Sequence, residues 1–75
     1  MTLPLAQSRV LRFVADTGPA TVRDVTIGLR MDQIAVNALR LLTEKGLLTA
    51  DRFAAPVSYT VTDDGREALA AGDGT

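Results

Sequence analysis

The chain has 75 residues, a formal net charge of −1 and neither cysteine nor histidine. That length supports one small domain with one core, residues 1–75. The absent residue types remove disulfides, thiolate metal sites and the commonest general base and metal ligand.

The first helix is predicted to start near Thr2 or Leu3 and to run to about Asp16. Pro4 suits its first turn, where a missing N–H costs nothing. Leu3, Ala6, Val10, Phe13 and Val14 repeat at the 3–4 spacing of a buried stripe, and Gly18-Pro19 ends it. "TVRD" opens the second helix. Thr21 can cap it, and Asp24 stands three residues on as a variant of the capping box, near the positive end of the helix dipole. Val22, Val25, Leu29 and Met31 supply apolar contacts, and the helix ends around Arg30. Gly28 within it costs about 1 kcal/mol relative to Ala, which marks either close packing or a plain weak spot.

The third helix is expected between Asp32, a good N-cap, and Gly46, a good C′ residue, with Lys45 at the negative end of the dipole. The short link before it makes helices two and three a tight helix-turn-helix. At about 100° per residue, Ala35, Ala38, Leu39 and Leu42 gather on one face. Gln33, Asn37, Arg40 and Glu44 gather on the opposite one. A solvated face is the bland reading. Gln, Asn and Arg are also the side chains that make bidentate contacts to base edges. Glu44 fits an intrahelical pair with Arg40 better than a contact beside phosphates.

From Leu47 the pattern changes. "LLTADR" and "SYTVT" are β-compatible runs around "FAAPV", and together they read as a β-hairpin over roughly 47–62. Alternation places Val57, Tyr59 and Val61 on one face, so Tyr59 is expected to pack across the hairpin in preference to stacking on a sugar. Phe53 is open between an exposed contact and a core plug. "TDDGREALAAG" follows as a short helix capped by Thr62 or Asp63, and 71–75 reads as a frayed tail.

Charge is uneven along the chain. Up to residue 60 there are seven basic residues against five acidic ones, and beyond it one against four. The acidic pI of about 5.1 is unlike that of a typical nucleic-acid binder, yet the front of the domain is weakly basic. Asp63 and Asp64 sit at a helix start with no base in support, which favours capping over catalysis. No P-loop, dinucleotide fingerprint or nucleophile constellation occurs. Neither enzyme activity nor a cofactor is expected. No apolar run nears the roughly 20 residues of a membrane span, and "MTLPLAQSRVLRF" lacks the form of a signal peptide. A cytoplasmic protein without a membrane partner is the expectation.

The order helix, helix-turn-helix, hairpin, short helix resembles the winged helix-turn-helix superfamily, in particular MarR-like and related small bacterial or phage regulators. "ATVRDVTIGLRMD", "LRLLTEKGLLTADR" and "YTVTDDGREAL" carry the likeness, which covers nearly the whole chain. It implies an α+β, mainly α fold with three helices, a two-stranded wing hairpin and a short C-terminal helix. It also implies a third helix in the DNA major groove, which assigns Gln33, Asn37 and Arg40 to the groove. Thr21 and Arg23 then face phosphates at the second helix's N-terminus, and Arg52 belongs to the wing. The chain departs from the pattern in three places. Arg30 stands where the turn often has Gly, so its backbone has to accept a positive φ. Thr26 replaces a usual Ala, and the wing is short with one cation beside its tip.

Two functions are therefore carried forward. One is a small sequence-specific DNA-binding transcriptional regulator whose partner is double-stranded DNA. The other is a winged-helix module that binds a protein through Ile34, Val36 and Leu41, apolar residues flanking the polar stripe. The chain carries no long terminal helix of the kind through which MarR-like proteins dimerise, so a monomer or weak homodimer is expected.

Overall fold

In the computed structural model, residues 3–30 and 33–73 are described. The order is α1 (Leu5–Thr17), β1 (Ala20–Thr21), α2 (Val22–Leu29), α3 (Gln33–Glu44), β2 (Leu48–Asp51), β3 (Ser58–Val61) and α4 (Asp63–Asp73). The result is a small α+β fold of four helices and one three-stranded antiparallel sheet among the described residues.

Local chemistry accounts for most boundaries. Pro4 stands just outside α1 as its N-cap, not within the first turn. Its extended backbone precedes the helix, and its carbonyl accepts the first bond, from Ser8 N–H at 2.9 Å. The other end lies one residue beyond expectation, where Gly18 takes φ 87° and its N–H bonds the Val14 carbonyl. At α2 the capping box is complete: Asp24 N–H donates to Thr21 Oγ1 at 3.1 Å, and Thr21 N–H donates to Asp24 Oδ2 at 3.0 Å. Arg30 ends α2 in the left-handed region at φ 55°, as the missing turn glycine implied. Asp32 and Met31, expected as cap and apolar contact, lie outside the described residues.

Helix α3 ends in a full Schellman motif. The Gly46 N–H bonds the Thr43 carbonyl at 3.1 Å, and the Leu47 N–H bonds the Leu42 carbonyl at 2.9 Å. Gly46 supplies the required positive φ of 80°. Thr62, rather than Asp63, caps α4, since its Oγ1 accepts from Gly65 N–H at 3.0 Å. The same hydroxyl donates to the Gly46 carbonyl at 2.7 Å, tying the start of α4 to the end of α3. Helix α4 continues to Asp73, into the segment expected as a frayed tail.

The sheet has order β1-β3-β2. Leu48 pairs with Val61 and Ala50 with Tyr59 in the expected hairpin. The expectation of two strands is corrected by β1, where Ala20 pairs with Tyr59 and Thr21 with Ser58. Ala20 and Thr21, the second of them the helix cap itself, are too few to show alternation; only the open edge of β3 makes them a strand. The core comprises Val10, Leu11 and Val14 of α1, Ala20, Val25, and Ala35, Ala38, Leu39 and Leu42 of α3. Leu47, Leu48 and Val61 complete it, and no polar side chain is buried among the described residues. Leu11 was absent from the predicted stripe. It is buried because α1 packs against α2, α3, α4 and β3 at once, so its covered arc is wider than one stripe.

Candidate functional site

Burying Ala35, Ala38, Leu39 and Leu42 turns the polar stripe of α3 outward. Gln33, Asn37, Arg40 and Glu44 are all exposed. The anticipated Arg40–Glu44 ion pair is not formed. Instead both side chains line a cleft of about 360 Å³ between α3 and the hairpin, with Thr43, Ala50, Arg52, Val57 and Tyr59. The hairpin explains this set. Ala50 of β2 pairs with Tyr59 of β3 on one face of the sheet, and Arg52 and Val57 flank the connecting loop just beyond the two strands. One sheet face therefore forms one wall, and the Arg40/Thr43/Glu44 edge of α3 forms the other. Thr43 Oγ1 donates to the Leu39 carbonyl at 2.7 Å, which holds that side chain against its own helix. Tyr59 is half-buried, packed against the core and also in the cleft wall.

Arg40 and Arg52, ten or more residues apart in sequence, are thus brought to one cleft. Thr21 and Arg23 sit at the start of α2, where Thr21's hydroxyl serves the cap and Arg23 is exposed. Phe53, next in the chain to Arg52, is fully exposed at 101%, which rules out the core plug. Its N–H donates to Asp51 Oδ1 at 3.0 Å, fixing the turn that presents it.

The three apolar residues proposed as a partner surface do not share a face. Ile34 and Leu41 line a shallow groove with Pro4, Ala6, Gln7, Asn37 and Ala38, on the flank of α3 that meets α1. Val36 leaves α3 on the other flank, since four residues separate it from Arg40 of the cleft edge. Ile34 is 56% and Val36 45% exposed.

Among the described residues, no three acidic side chains gather as a metal site would require, and no helix is long and apolar enough to cross a membrane. Compared with known proteins, the chain matches no family model, no curated protein and no solved structure.

Proposed function

We propose that this domain is a winged helix-turn-helix that binds double-stranded DNA in a sequence-dependent way, as a small regulator of transcription. The observation that carries the reading is the outward stripe of α3, in which Gln33, Asn37 and Arg40 are all exposed, with Arg40 at the edge that shares a cleft with Arg52 of the hairpin. The amide groups of Gln33 and Asn37 on one exposed helix face supply the donor and acceptor pairs that read base edges in the major groove, and Arg40 adds a cation beside them. In this arrangement α2 and α3 form the helix-turn-helix and the β2–β3 hairpin is the wing. Arg23 and the backbone N–H groups near Thr21 meet a phosphate at the start of α2.

Variants separate the roles. Asn37→Ala should weaken binding to a preferred duplex by about 1–3 kcal/mol, the worth of one bidentate base contact, and leave binding to scrambled duplex unchanged. Arg23→Ala should weaken both duplexes alike and lower the salt slope by about one unit. Neither exposed residue supports the core, so both variants should fold. The measurement is fluorescence anisotropy at two salt concentrations, with the preferred duplex taken from selection on a random pool. No binding by the wild type at low salt would sink the reading.

A second reading has its own observation, the apolar groove that Ile34 and Leu41 form with the start of α1. Under it the domain is a winged-helix protein-interaction module, and Ile34→Asp abolishes a protein complex while Asn37→Ala leaves it intact.

A further inference from the structure

We infer that the cleft between α3 and the β2–β3 hairpin binds one phosphate group, gripped jointly by the guanidinium groups of Arg40 and Arg52, and that Arg40 therefore serves as a phosphate ligand and not as a base reader. The inference rests on the DNA reading for the phosphate's natural source, a backbone phosphodiester, but the site itself stands on the cleft.

Two cationic side chains from separate elements line the same recess. Among the described residues neither makes a hydrogen bond or an ion pair with the protein. Their donors are thus uncommitted, and the planar fork of a guanidinium matches phosphate oxygens two at a time. The wall between them is apolar, formed by Ala50, Val57 and the Tyr59 ring. It offers the sugar next to a phosphate an apolar surface to pack on. A cleft of about 360 Å³ has room for one such unit. Helix geometry agrees, because Arg40 lies at the hairpin edge of the polar stripe, on the side of Thr43, while Asn37 lies toward α1 and lines the opposite groove. Arg40 and Asn37 are therefore divided between a backbone contact and a base contact.

Glu44 is the third charge in the cleft. It opposes an anion without neutralising both arginines, so the recess keeps a net positive balance. The carboxylate sets an upper limit on affinity, and its removal should tighten phosphate binding.

The test is a double-mutant cycle on Arg40→Ala and Arg52→Ala, each exposed and outside the core, with Glu44→Gln alongside. Preferred and scrambled duplexes are titrated at several salt concentrations. The isolated phosphate is probed by amide chemical shifts under titration with inorganic phosphate and with deoxyadenosine monophosphate. Each arginine variant is expected to weaken both duplexes equally, by about 10-fold, as loss of a charge-assisted contact would. The double variant should be little weaker than either single one, since a clamp with one arm missing has already lost its geometry. Glu44→Gln should bind both duplexes several-fold tighter. If no duplex binds but phosphate or the nucleotide shifts the amides of Thr43, Ala50 and Arg52, and either arginine variant abolishes those shifts, the site stands and the DNA reading falls. The inference is overturned if Arg40→Ala alters the preferred sequence, if the two losses simply add, or if no phosphate-bearing probe perturbs the cleft.

Discussion

Gly65 and Gly28 look alike in the sequence, each a glycine inside a helix, and the structure gives them different work. A Cβ on Gly65 would run into the Leu47 carbonyl oxygen and lie 2.7 Å from Val61 Cγ2. The first of these is backbone, held by its bond from Thr62 N–H at 3.1 Å, and cannot yield. Gly65→Ala should cost about 1–3 kcal/mol, the usual penalty for forcing atoms into a packed site, read as a lower urea midpoint with unchanged slope. A Cβ on Gly28 would meet the edge of the Phe13 ring, which can swing aside, and Ala returns about 1 kcal/mol of helix propensity. Gly28→Ala should therefore lose much less than Gly65→Ala; equal losses would show that Phe13 is fixed. Arg30 is a third backbone case. At φ 55° it pays for a Cβ in the left-handed region, so Arg30→Gly should raise stability by about 1 kcal/mol, seen as a higher Tm.

At the level of elements, α2 is the piece most dependent on its ends. It has eight residues and one fully buried side chain, Val25, and so short a helix holds little stability of its own. The reciprocal bonds of Thr21 and Asp24 satisfy two donors that would otherwise be orphaned. Thr21→Ala should cost about 1 kcal/mol, and Thr21→Ser should recover most of it. Local loosening should show as faster amide exchange in α2 before global unfolding. If exchange in α2 is unchanged, packing of Val25 and the β1–β3 pairing hold the helix without its cap. Helix α3 is anchored at its C-terminal end instead, by the Schellman bonds and by Lys45 Nζ donating to Gln7 Oε1 of α1 at 2.6 Å. Among the described residues, Gln33, Asn37, Arg40 and Glu44 of its polar face make no hydrogen bond or ion pair.

For the whole molecule, the large exposed apolar residues are Leu5, Ile27, Ile34, Val36 and Phe53 among those described. They are divided among α1, α2, both flanks of α3 and the hairpin loop, and Ile34 and Val36 leave α3 on opposite sides, so they form no single apolar stripe of the kind a stable interface uses. Sedimentation velocity at micromolar concentration should therefore give the mass of one chain, 7.9 kDa. A tight dimer would mean that the Ile34/Leu41 groove is covered by a second copy, and Ile34→Asp would then dissociate it.

The sequence by itself determined the features that nearest neighbours along the chain control. Thr21 with Asp24, Gly18 and Gly46 bounded helices because caps are made by residues within four of one another. The two faces of α3 followed from residue spacing, since one side chain of each turn must go to the core. Tertiary structure alone decided what depends on partners distant in the chain. Strand β1 exists because β3 offers it an edge. Leu11 is buried because four elements converge on α1. Ile34 and Val36, already parted by helical spacing, meet different surroundings because α1 and the hairpin occupy opposite flanks of α3. Arg40 and Arg52 share a cleft because the register of Ala50 with Tyr59 turns that face of the hairpin toward α3, a juxtaposition that no local spacing encodes.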